Sequence, residues 1–133
     1  MAMETTLRST LVHREITETI LAGAIEVHRF LGPGLLESAY RACLVRELEL
    51  RGMRVQQERA VPVCFKGLQL DCSYRADLVI ADAVVIELKA VDHLLPIHEA
   101  QLLTHLKLLD YRVGLLLNFN AAYLRQGIKR LIN

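Results

Sequence analysis

The chain opens on two stretches of helical period. From Arg14 to Leu31 the apolar residues Ile16, Ile20, Ala24, Val27 and Leu31 fall three or four apart, which marks one face of a helix, and Gly32-Pro33-Gly34 ends it. A second helix is predicted from about Leu35 to Arg51, with Leu36, Tyr40, Cys43, Leu44 and Leu48 on its buried face and Gly52 closing it. From Val55 the period shortens to two. Val61, Val63 and Phe65 precede a Lys66-Gly67 turn, and Leu68, Leu70, Cys72 and Tyr74 alternate with Asp71, Ser73 and Arg75, the pattern of a hairpin whose alternation runs on to Ile80. After a short turn at Ala81-Asp82-Ala83, another strand is predicted over Val84 to Val91. Pro96 suits the first turn of a helix reaching about Asp110, with Ile97, Leu102, Leu106 and Leu109 as its core stripe. Val113 to Leu117, apolar on both faces, reads as a central strand. A last amphipathic helix is predicted from roughly Ala121 to Ile132.

Strands that first meander and then acquire a helical crossover imply an α/β domain, a mixed sheet flanked by helices. No Gly-rich turn follows a first strand, so a dinucleotide-binding fold is excluded. At 133 residues, 53% apolar and 23% charged, the chain has the composition of one self-sufficient domain. A net charge of +1 excludes a protein that coats polyanions through its overall field, but the segment from Tyr111 to Asn133 holds Arg112, Arg125, Lys129 and Arg130 and no acid. Three cysteines, Cys43, Cys64 and Cys72, none in C-x-x-C spacing, are expected to be buried apolar residues and not a disulfide or metal framework. The longest charge-free stretch, Val113 to Leu124, is twelve residues with two Asn, and Met1 to Thr10 lacks a basic start followed by an apolar run. Neither a membrane span nor a signal peptide is expected, and a reducing cytoplasm is the predicted location.

Candidate chemistry concentrates in the strand Val84 to Val91, where Glu87 and Lys89 share one face of an otherwise apolar run. A three-residue turn closed by Ile80 and Val84 puts Asp77 directly across from Glu87. Facing carboxylates destabilise a sheet unless a divalent cation sits between them, and oxygen ligands favour Mg²⁺ or Mn²⁺ over zinc. The same register sets Arg75 opposite Lys89, an unfavourable pair unless an anion such as phosphate approaches. The plain alternative is a row of exposed residues in weak ion pairs. Glu37 reads equally as an ordinary first-turn glutamate, and Tyr40 as core. His98, Gln101 and His105 share one face of the Pro96 helix; two His seven apart without a third ligand make a poor zinc site, and a polar stripe facing substrate is the better reading. Arg125 and Lys129, one turn apart on the predicted last helix, are a solvated face or phosphate contacts.

Asp77, a nine-residue gap and Glu87-Leu88-Lys89, on adjacent strands after an opening helix, resemble the signature of the PD-(D/E)XK nuclease superfamily. Gly34-Leu35-Leu36-Glu37-Ser38-Ala39-Tyr40 is similar to the heptad of the small bacterial GxxExxY proteins, which are assigned to that superfamily. The resemblance implies a restriction-endonuclease-like domain over the whole chain. It implies Asp77, Glu87 and Glu37 as metal-binding carboxylates, Lys89 as the lysine that orients water and stabilises charge, and Gln101 as the start of a Gln-x-x-x-Tyr motif. The chain departs from that motif at His105 and has Ala76 where the superfamily's name has Pro. The implied function is a Mg²⁺-dependent (or Mn²⁺-dependent) nuclease or phosphodiesterase acting on DNA, with RNA open. The rival is a non-catalytic nucleic-acid-binding or protein-interaction module that kept the fold. A homodimer or a subunit of a larger complex stays open for either.

Overall fold

The computed structural model of the chain describes residues 13–70 and 74–133. Among them the order is α1 (Arg14–Leu31), α2 (Glu37–Leu50), β1 (Val55–Ala60), β2 (Val63–Phe65), β3 (Leu68–Leu70), β4 (Arg75–Ile80), β5 (Val84–Lys89), α3 (Pro96–Leu109), β6 (Val113–Asn118), a 3-10 turn (Leu124–Gly127) and β7 (Ile128–Ile132). One sheet runs β1-β4-β5-β6-β7, while β2 and β3 pair separately as a hairpin around Lys66 and Gly67. Only β5 and β6 are parallel, joined by the α3 crossover; the other neighbours are antiparallel. This is the expected mixed sheet flanked by helices.

Alternation along the central strands divides the core in two. Val84, Ile86 and Leu88 face α1 and α2, where they pack with Ile20, Ala24, Tyr40, Leu44 and Leu48. Val85 and Leu116 face the other way, against Leu102 and Leu106 of α3. Gly114 permits that second contact, because a Cβ there would stand 3.0 Å from methyl carbons of both Leu102 and Leu106. The crossover helix thus lies close on β6, and its position fixes where its polar face meets the end of β5.

Several expectations are corrected. The segment predicted as a last helix is the 3-10 turn followed by β7, which pairs antiparallel with β6. Its apolar residues serve both faces of the sheet, Ile128 and Ile132 toward α1 and α2, Leu131 toward α3. Gly127 makes the close approach possible, since a Cβ there would fall 2.5 Å from the Asn118 carbonyl oxygen. Arg125 and Lys129 therefore do not share a helix face; Lys129 on β7 pairs with Glu99 at 3.5 Å. Leu36 and Ile97, expected in the core, are exposed. Cys43 and Cys64 are exposed too, and Cys72 lies outside the described residues.

Candidate active site

The turn at Ala81 to Ala83 gives the expected register, with Ile80 opposite Val84, Val79 opposite Val85 and Leu78 opposite Ile86. There the pairing stops. On the other side of β4 the register to β1 is kept, but the pair that would join Glu58 to Asp77 is missing between Gln57–Leu78 and Arg59–Ala76. The sheet is open at Asp77, and the direct Asp77–Glu87 and Arg75–Lys89 pairs expected from the turn are not formed as backbone pairs. Asp77 replaces the missing ladder partner with its own side chain: Oδ2 accepts the Leu88 N–H at 2.8 Å. The other oxygen, Oδ1, accepts from Arg41 Nη2 at 3.2 Å.

The opening is the floor of a cleft of about 720 Å³ lined by Asp77, Glu87 and Lys89 from the sheet, His98, Gln101, Thr104 and His105 from α3, and Tyr74 and Arg75 beside them. Six of the sequence-predicted residues thus meet in one place. Glu37, Arg125 and Lys129 are not among the lining residues. Glu37 reaches the same charge cluster from the first turn of α2: burial raises its pKa, the Asp77 carboxylate raises it further, and Lys89 and Arg41 pull it down. Glu87 is buried on β5 and accepts a hydrogen bond from His105 Nδ1–H at 2.7 Å. Its pKa is raised, first by desolvation, against the His105 hydrogen bond, and again by the negative charge of Asp77. At the position where the Gln-x-x-x-Tyr motif has Tyr, His105 supplies the carboxylate with an oriented donor.

The Gly34–Tyr40 heptad carries Glu37 but contributes no residue to the cleft lining. Gly34 holds φ +101, open to glycine and costly to other residues, and its N–H donates to Asn120 Oδ1 at 3.1 Å. Tyr40 is fully buried and stacked on Phe119 with ring centroids 4.8 Å apart. Its hydroxyl donates to the Gly32 carbonyl at 2.6 Å and accepts the Leu35 N–H at 3.1 Å, which anchors the loop that delivers Glu37. Tyr40→Phe is expected to cost about 1 kcal/mol, because two partly buried backbone groups lose their partner. Thermal melting checks it, and an unchanged midpoint would mean that the hydroxyl is idle.

Sequence reasoning missed Arg41 and Asn118. Asn118 is buried at the end of β6, where its Oδ1 accepts the Val91 N–H at 3.1 Å and its Nδ2 donates to the Val91 carbonyl at 2.9 Å, pinning the chain just past Lys89. Its only sequence signal was a polar residue closing an apolar strand. Arg41 stood four residues from Glu37, a helical pairing distance that reads as a surface ion pair. His98, by contrast, plays a plain local part, since its Nδ1 accepts the Leu95 N–H at 3.0 Å and closes the first turn of α3.

A cation at this cleft would meet hard oxygen donors from Asp77 and Glu87, with Glu37 in the adjoining charge cluster, the chemistry of Mg²⁺ and Mn²⁺ sites, and would offset the burial and the Asp77 charge that raise Glu87 and Glu37. Each carboxylate oxygen can accept more than one partner, so the contacts to Leu88 and His105 do not block it. Among the described residues no three His, Cys, Asp or Glu side chains converge as a complete metal cage. Arg41 stands among the carboxylates instead.

No helix among the described residues is long and apolar enough to cross a membrane. No curated protein and no solved structure matched the chain. Compared with protein families, residues 14–131 match the PD-(D/E)XK nuclease superfamily, a match that runs from the first residue of α1 into β7 and takes in both strands of the open sheet end. With nearly its whole length covered and its restriction-endonuclease-like sheet in place, this chain belongs to the PD-(D/E)XK nuclease superfamily.

Proposed function

We propose that the chain is a divalent-cation-dependent nuclease of the GxxExxY branch that hydrolyses phosphodiester bonds in DNA. The observation that carries the reading is the convergence of Asp77, Glu87 and Lys89 on one cleft at the point where β4 and β5 part. Asp77, Glu87 and Glu37 would hold the ion, Mg²⁺ or Mn²⁺. When bound, such an ion lowers the pKa of water and offsets charge on the phosphate.

The chain's own residues do the rest. Lys89 presents an ammonium group beside the carboxylates, where it stabilises charge developing on the phosphate and orients the attacking water. His105 fixes the Glu87 carboxylate through Nδ1, so the acid is oriented before substrate arrives. Gln101 and His98 line the α3 wall of the cleft, within reach of the nucleic acid strand. Arg125 and Lys129 lie away from it, and their part is reduced to contacts with more distant phosphates.

The test is hydrolysis of single-stranded, double-stranded and flapped DNA and of RNA by the purified chain, with Mg²⁺ or Mn²⁺ and with chelator. Cation-dependent cleavage of DNA that chelator abolishes is expected. Cleavage of RNA alone would correct the substrate, and no cleavage of any substrate, with binding retained, would move the reading to a non-catalytic module.

A further inference from the structure

One cation already stands at the carboxylates. Arg41, on the second turn of α2, places Nη2 3.3 Å from Glu37 Oε1 and 3.2 Å from Asp77 Oδ1, and Nη1 3.5 Å from Glu58 Oε1. Its side chain is largely covered. The first two oxygens belong to carboxylates that the cation reading assigns as ligands. A guanidinium hydrogen-bonded to both puts a full positive charge next to any ion bound by the same groups, and like charges at that separation repel strongly where water is scarce.

Two features make the seat of Arg41 a leaving position. Its Nε is buried with no hydrogen-bond partner among the described residues, so there the guanidinium is held through its outer nitrogens, and an orphaned buried donor counts against the pose. Glu58 offers a place to go. It is exposed, and its backbone is left-handed at φ 49, uncommon for a glutamate, at the point where the β1–β4 pairing lapses beside Asp77.

Resting on the proposed cation-dependent reading, we infer that Arg41 is the internal competitor of the divalent cation: it neutralises Glu37 and Asp77, withdraws toward Glu58 when an ion binds, and so sets the cation affinity of the site. Arg41 is thus a positioning residue. It acts on the ion through the carboxylates it releases.

Calorimetric titration of the full chain with Mn²⁺ tests it. Arg41→Gln, which deletes the charge and keeps a hydrogen-bonding head, is expected to bind Mn²⁺ about ten- to a hundred-fold more tightly than wild type. Arg41→Lys, which restores a positive charge, is expected to return the affinity close to wild type. Glu58→Gln removes the place to which the guanidinium withdraws and is expected to weaken Mn²⁺ binding. Should Arg41→Gln fail to fold, the exposed Glu58→Gln variant decides alone. The rise in melting temperature on adding Mn²⁺ is a second readout, larger in Arg41→Gln than in wild type. Equal or weaker Mn²⁺ binding by Arg41→Gln, or unchanged binding by Glu58→Gln, would overturn the inference and leave the cation site standing. Failure of wild type and all variants to bind Mn²⁺ would remove both.

Discussion

Lys89→Met is expected to lower turnover about a hundred- to a thousand-fold, the usual cost of one preorganised electrostatic contact, while Mn²⁺ binding persists. Lys89 is the last residue of β5 and lines the cleft beside Glu87. It is held from both directions: its backbone pairs in register with Asn118, and its carbonyl accepts the Phe119 N–H at 2.9 Å. The ammonium group is therefore aimed by the sheet, and its charge reaches the carboxylates, since it pulls down the pKa of Glu37. Methionine keeps an unbranched stem of similar length and deletes only the charge. Loss of a positive neighbour leaves the carboxylates no less able to hold an ion, so binding and chemistry separate in this variant. Single-turnover cleavage measured beside Mn²⁺ titration distinguishes the outcomes. A Lys89→Met variant that cleaves as fast as wild type would take the lysine out of the chemistry.

The parts of this site that were legible in the sequence are those fixed by short-range rules. The turn closed by Ile80 and Val84 set the β4–β5 register, and with it the nearness of Asp77 to the Glu87 end of β5. Period alone placed α1, and Pro96 placed the start of α3. What escaped depends on partners distant in the chain. The spacing of Leu124, Ile128 and Leu131 fits a helix as well as a two-faced strand, and the exposed hydrogen-bonding edge of β6 decides for the strand. Ideal alternation carries the β4–β5 pairing past Leu78, whereas the strands part there and Asp77 caps the Leu88 N–H with its side chain. Arg41 reads as a solvated helix residue because nothing local shows that α2 lies over the open end of the sheet. At His105, where the chain departs from the Gln-x-x-x-Tyr motif, the imidazole makes a direct contact with Glu87, a partner on another element that the sequence does not show.

Asp77 and Glu87, alike in charge and neighbours in space, are expected to respond oppositely to mutation. Asp77→Ala leaves the Leu88 N–H of a fully buried residue without its acceptor and takes one anchor from Arg41, so a loss of about 1–3 kcal/mol is expected, together with loss of cleavage. Asp77→Asn keeps an oxygen for Leu88 and should recover much of that stability without recovering activity. Glu87→Gln removes a buried charge that desolvation and Asp77 both disfavour, while its amide oxygen still accepts from His105. Because the folded-state pKa of Glu87 is raised, its ionisation opposes folding in full above that pKa, and the cost fades as pH falls toward the ordinary carboxylate range, where the group is protonated. Glu87→Gln should accordingly melt above wild type at neutral pH in the presence of chelator, and the gap should close on acidification. Added Mn²⁺ should narrow or reverse that gap at neutral pH, since only wild type keeps the full donor set. Melting curves for the three variants across pH, with chelator and with Mn²⁺, contain every comparison. A Glu87→Gln variant that melts well below wild type at neutral pH with chelator would mean that the Glu87–His105 pair holds the fold together, and Glu87 would then be read as structural.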